Sequence, residues 1–143
     1  MTAVRGIRGA TTVDVNDAAA MTSATAELLL MLRDLNGLRP EDIGYIWFTA
    51  TEDLDAAFPA DAARATLGWT EVPLICSREI PVPGSLARCI RVLIAWNTDK
   101  TQGQVQHAYM RGARSLRPAW AYPRRAAKPD PSYAGARRRK EEQ

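Results

Sequence analysis

In CSREIPVPGSLARCIRVLIAW, residues 76–96, an acid and a base stand among core-like residues. Glu79 closes one apolar run, and Arg91 lies inside the next, between Ile90 and Val92. A guanidinium in a core strand is costly unless paired, because an unpaired charge loses its hydration on burial. Two readings fit the residues. Either Arg91 and Glu79 form a bridge that ties the sheet, or Arg91 faces a pocket and meets an anionic ligand while Glu79 contacts another ligand atom. Arginine suits the second role, since its planar fork gives a carboxylate two parallel hydrogen bonds. Further arginines stand at comparable points: Arg8 in RGIRGATT, Arg64 in FPADAAR and Arg117 in LRP. No matching nucleophile, metal cluster or phosphate loop accompanies them. His107 is the single histidine, which excludes multi-histidine metal sites and argues against a Ser-His-Asp triad. Cys76 and Cys89 lie 13 apart, neither a CxxC pair nor a zinc spacing, and both read as free thiols. The set suits a small multi-carboxylate molecule bound without covalent catalysis.

The elements that must position these residues alternate between strand and helix. Residues 4–13 read as a β-branched, Gly-punctuated strand. Asn16 or Asp17 can cap a helix in which Met21, Ala24, Leu28, Met31, Leu32 and Leu35 recur at helical spacing, with Asn36-Gly37 as its stop. Pro40 opens a helix of one or two turns. Residues 44–50 are apolar on both parities, as in a strand covered on both faces. FPADAARATLGW predicts a short helix closed by Gly68, and residues 72–79 a third strand. After the proline-rich IPVPGS comes a fourth strand, 89–96, with Ile90, Val92, Ile94 and Trp96 on one face and Arg91, Leu93 and Ala95 on the other. TDKTQGQVQHAYMRGA predicts a cap and helix, and RSLRP a short extended segment. The order β-α-β-α-β-β-α gives an α+β domain, a mixed sheet of four to five strands with helices on it. Three helices protect one face only, so the other face is expected to be buried by other subunits of a closed homo-oligomer.

Charge separates the chain into two parts. The net charge of +3 is misleading, because residues 119–143 hold seven of the 19 basic and three of the 16 acidic groups. Residues 1–118 are left with 12 basic against 13 acidic groups, or −1, and give a nucleic-acid reading no electrostatic footprint. Residues 1–118 therefore read as one domain, and 119–143 as a Pro/Arg-rich, disordered tail. No apolar run approaches the roughly 20 residues that cross a bilayer, and MTAVRGIRGATTVD has no secretory pattern. A cytoplasmic protein with no membrane partner is expected.

VRGIRGATTV, DLDAAFPADAAR, GWTEVPLICSREIPVPGSLARCIRVL and HAYMRGARSLRP, in order over about residues 3–118, closely resemble the small trimeric α/β class of monofunctional chorismate mutase. Four motifs at matching spacing make this far more specific than one short motif. The resemblance implies a homotrimer forming a pseudo-α/β-barrel, with active sites between neighbouring subunits. It implies rearrangement of chorismate to prephenate, on the way to phenylalanine and tyrosine, with no cofactor. Matched by position, Arg91 would reach the ether oxygen and a carboxylate, and Arg8 a carboxylate. Glu79 and Cys76 would lie near the ring hydroxyl, and Tyr109 over the side-chain carboxylate. Phe58, Ala60 and Arg64 would form the rim and apolar wall, with Leu74 and Ile75 near the ring. Leu116 and Arg117 would close over the site. Strict alternation puts Cys76 and Glu79 on opposite faces, so they line one pocket only if the strand ends or bulges near Ser77-Arg78. The alternative is a non-catalytic or regulatory carboxylate-binding trimer of the same architecture.

Overall fold

The structure, a computed structural model, describes residues 2–124. Strand β1 (Ala3–Thr12) leads into helix α1 (Ala18–Asn36). A 3-10 turn at Pro40–Asp42 precedes β2 (Ile43–Ala50), and one π-helical turn at Ala62–Thr66 precedes β3 (Leu74–Arg78). Then come β4 (Cys89–Thr98), a 3-10 turn at Gln102–Gln104, the two-residue β5 (Ala108–Tyr109), and 3-10 turns at Arg111–Ser115 and Pro118–Trp120. The five strands form one mixed sheet in the order β3-β2-β4-β1-β5. The α+β class and the four-to-five-strand sheet read from the sequence hold.

Helix α1 begins and ends where its sequence says. The Asp17 side chain accepts the Ala20 N–H, and Gly37, at φ 68°, takes the left-handed conformation that a Cβ would disfavour. Its apolar stripe lies on the sheet, with Met21, Leu28, Leu29 and Leu32 fully buried. Gly9 on β1 permits this approach, since a Cβ there would stand 2.8 Å from Leu32 Cδ1. Asn36 is buried at the last turn with its amide satisfied. Nδ2 donates to the Leu32 and Gln106 carbonyls, and Oδ1 accepts the Gln106 N–H, each at 2.9 Å.

Alternation gives the sheet two unlike faces. Ile7, Ile46, Phe48, Ile90, Val92 and Ile94 point to the α1 side and are buried. On the other side Val4, Tyr45, Trp47 and Ile75 are exposed, with Trp47 flanked in register by Leu93 and Ile75. The bare apolar face expected from the helix count is present, and patches of this kind mark interaction surfaces.

Two expected elements differ. The helix over TDKTQGQVQHAYMRGA is absent. Its backbone is drawn elsewhere: Gln106 pairs with Asn36, Gly9 and Ala10 pair in parallel with Ala108 and Tyr109, and the Met110 N–H donates to the Ala10 carbonyl at 2.8 Å. RSLRP is not extended but runs through the 3-10 turn Arg111–Ser115 and leads into the next at Pro118. The ordered body also continues past Pro118. Ala121 bridges in parallel to Tyr109, and the Tyr122 N–H donates to the Tyr109 carbonyl at 2.8 Å. Residues 125–143 of the expected tail lie outside the described residues.

Candidate active site

Arg91 sits on β4, the central strand, facing the bare side of the sheet. Its register partners are Ala10 on β1 and Thr49 on β2, and Arg8, paired with Leu93, is its diagonal neighbour. Glu79 follows the last residue of β3 and keeps that strand's course, since its N–H donates to the Ala50 carbonyl at 2.9 Å. Arg8, Trp47, Thr49, Glu79 and Arg91 line one cavity of about 320 Å3. Glu79 Oε2 stands 3.1 Å from Arg91 Nε, with both side chains about a quarter exposed. The Nε–H is not directed along that line, however. Nε and the Thr49 Oγ1 are buried polar atoms without a hydrogen-bond partner among the described residues. Orphaned polar atoms are rare in native interiors and call for an explanation. Both belong to residues that line this cation-bearing cavity.

Tyr109 lies beside this cavity. Its ring is buried and the Arg8 guanidinium carbon is 5.8 Å from the ring centre. Cys89, two residues before Arg91 on the same face, is close enough for Arg91 to act on its thiol. Burial pushes that thiol's pKa up, and the guanidinium partly offsets the rise. The loop arriving at β4 is pinned by Asp53, whose carboxylate accepts the Arg88 N–H at 3.0 Å and the Thr51 hydroxyl at 2.5 Å. Burial raises the Asp53 pKa, but these hydrogen bonds and the Arg88 charge outweigh it and hold the group below its ordinary value. Arg88 adopts φ 45°, a conformation side-chain-bearing residues seldom take unless held.

A second cluster forms on the opposite side of the sheet. Phe58, Asp61 and Cys76 line a cavity of about 600 Å3. Phe58 is 65% exposed. The Cys76 thiol lies against the Ala60 backbone, and burial raises its pKa, so it is a wall and not a nucleophile. Arg64, on the π-helical turn, pairs with Asp61 at 2.7 Å. Leu74 packs against the core, whereas Ile75 is exposed on the bare face beside Trp47. β3 pairs with β2 without a bulge. Within one chain, Cys76 and Glu79 therefore face different cavities, as strict alternation demands.

The C-terminal residues meet the first cluster. Leu116 is partly exposed, and the Arg117 guanidinium carbon lies 3.6 Å over the Trp120 ring. His107, given no role by the sequence, accepts the Arg8 backbone N–H on Nδ1 at 3.0 Å and stacks on Trp120 with ring centres 3.9 Å apart. Burial lowers its pKa, and Arg117, Arg8 and Arg124 lower it further. Thr49 and Cys89 were findable by alternation, since both face the way Arg91 does. His107 and Trp120 carried no such signal, because His107 lay under a helix-like pattern and Trp120 within the expected tail.

The fold and the two clusters define an α+β protein whose open sheet face carries a cation-lined cavity. Residues 4–120 match the family described as chorismate mutase type I, and the chain belongs to that family. It is 53% identical over 116 residues to chorismate mutase AroH of Thermus thermophilus, covering 80% of this chain and 94% of that one. Over 115 residues it is 42% identical to chorismate mutase AroH of Bacillus subtilis, with 80% and 91% covered. The solved structure of a chorismate mutase from Clostridium thermocellum superposes with a TM-score of 0.76 at 51% identity, covering 78% of this chain and 98% of that one.

Proposed function

We propose that the Arg91 cavity is the reaction centre of a chorismate mutase, an isomerase converting chorismate to prephenate in aromatic amino-acid synthesis. The rearrangement is pericyclic: one C–O bond breaks as one C–C bond forms, with no proton transferred and no nucleophile consumed. Two tasks are left to the protein. One is to hold a flexible dianion in its compact reactive conformer. The other is to place a fixed cation where negative charge grows on the ether oxygen, a contribution of roughly 3–4 kcal/mol to the barrier.

Arg91 meets the ether oxygen and a carboxylate, and Arg8 a carboxylate. Glu79 accepts from the ring hydroxyl and keeps the guanidinium oriented. Tyr109 covers the side-chain carboxylate, and Leu116 and Arg117 close the opening. The observation that carries this reading is the convergence of two arginines, Arg8 and Arg91, with Glu79 and Thr49 on the lining of one cavity.

Phe58, Ala60, Arg64, Leu74, Ile75 and Cys76 complete the site from a neighbouring subunit. Two different half-sites that pair form a head-to-tail contact, and such contacts close into rings. The bare apolar face, with Tyr45 and Trp47, supplies the surface for a homotrimer. No helix among the described residues is long and apolar enough to cross a membrane. We place the enzyme in the cytoplasm, where Cys76 and Cys89 remain the free thiols they are here. The test is conversion of chorismate to prephenate by the purified chain without added cofactor, with mass measured in solution. Stoichiometric conversion by a species of three chains is the expected result. An inactive protein contradicts the catalytic reading, and an active monomer the shared site.

A further inference from the structure

Residues 117–124 do more than end the fold. Trp120 meets three groups at once: the Arg117 guanidinium carbon 3.6 Å from its ring centre, the His107 ring with centres 3.9 Å apart, and the Tyr109 ring edge-on with centres 5.7 Å apart. The segment that carries it is tied down at both ends of β5. The Tyr122 N–H donates to the Tyr109 carbonyl at 2.8 Å, and Arg124 donates to Gln106 Oε1 at 2.8 Å. His107 then reaches β1, where its Nδ1 takes the Arg8 N–H at the end of the β1–β5 pairing. A continuous set of contacts thus runs from Arg117 through Trp120 and His107 to the backbone of Arg8.

We infer that Trp120 is a positioning residue: its indole, itself seated against His107 and Tyr109, holds Arg117 in place before the substrate arrives. This rests on the roles proposed above for Arg117, Arg8 and Tyr109. An arginine side chain loses considerable rotamer freedom when it engages a ligand, and an aromatic platform removes much of that loss in advance. The benefit falls on substrate capture and not on the bond-breaking step, which belongs to Arg91. Trp120 touches neither substrate nor reacting atoms.

The test compares steady-state kinetics on chorismate for the full-length wild type and for Trp120→Ala, Trp120→Leu, Trp120→Phe, Arg117→Ala and Trp120→Ala/Arg117→Ala. Trp120→Leu keeps apolar bulk for folding but lacks the ring face that attracts a cation. Trp120→Ala and Trp120→Leu should each raise KM about 5- to 30-fold with kcat within about threefold of wild type, the size expected from losing one platform and one ordered side chain. Trp120→Phe should restore most of the affinity. The double variant should be no worse than Arg117→Ala alone. An unchanged KM in Trp120→Leu while Arg117→Ala raises it would overturn the inference and leave the site reading intact. So would additive effects in the double variant, or a fall in kcat matching the rise in KM. An unchanged KM in Arg117→Ala overturns the role of Arg117 and the inference with it.

Discussion

Glu79 Oε2 and Arg91 Nε lie 3.1 Å apart, yet the Nε–H does not point along the line between them and has no hydrogen bond among the described residues. The pair is an ion contact that a ligand can complete, not a finished bridge. A hydrogen bond to a charged group contributes about 1.5–3 kcal/mol, so Glu79→Gln, which weakens both orientation of Arg91 and acceptance from the ring hydroxyl, should lower kcat/KM by roughly 10- to 150-fold. Steady-state kinetics on chorismate check this. Wild-type kcat/KM in the variant would mean that Glu79 orients nothing.

The shared site proposed above requires that neither subunit alone holds a whole one. Arg91→Ala removes one half-site, and Arg64→Ala weakens the other. When the two impaired variants are mixed by unfolding and refolding together, hybrid rings should show more activity than either variant alone. With random assembly, both halves are intact at about a quarter of the subunit contacts, which sets the expected recovery near a quarter of wild type. No recovery in demonstrated hybrids would place the whole site within one chain.

Asn36 ties the end of α1 to Gln106, two residues before β5, which carries Tyr109. Asn36→Ala removes the partner of the part-buried Gln106 N–H and carbonyl, and a hydrogen bond of this kind contributes about 0.5–1.5 kcal/mol. Thermal melting should fall clearly, and chorismate KM should rise as the β5 segment loosens. A melting temperature unchanged from wild type would contradict this.

His107 is neutral in the fold, and its folded pKa lies below the ordinary 6.5. Protonation would remove Nδ1 as acceptor for the Arg8 N–H and set a further cation among Arg8, Arg117 and Arg124, the charged groups that act on it. An unfolded chain takes the proton more readily than the folded one, so stability falls as pH drops below about 6.5 and stops falling, for this group, below the folded pKa. Melting temperature measured from pH 8 down to pH 5 should show this loss in wild type. His107→Asn, which keeps an acceptor but cannot titrate, should lack it. Parallel curves for the two proteins would remove His107 as the cause.

Legibility in the sequence followed periodicity and punctuation. Asp17, the Met21-to-Leu35 stripe and Gly37 delimited α1 because capping and packing act locally there. Alternation through Ile90, Arg91, Val92 and Leu93 correctly set Arg91 apart from the core face. The same alternation separated Cys76 from Glu79, and β3 obeyed it without a bulge. What failed was residues 98–117, where helix-like spacing competes with partners far away in sequence. Asn36, Ala10 and Thr12 take the backbone groups of Gln106, Met110 and Gly112 and hold the segment in a short strand and turns. For the same reason Trp120 read as the start of a tail, although it packs on His107 and Tyr109.

The central claim is that Arg91 supplies the cation for the breaking ether bond, and kcat for Arg91→Ala tests it most directly. Removing one such donor typically lowers kcat by about 100- to 1,000-fold, so turnover should drop at least that far while the protein stays folded and assembled. A folded, assembled Arg91→Ala protein that turns chorismate over at the wild-type kcat would contradict it.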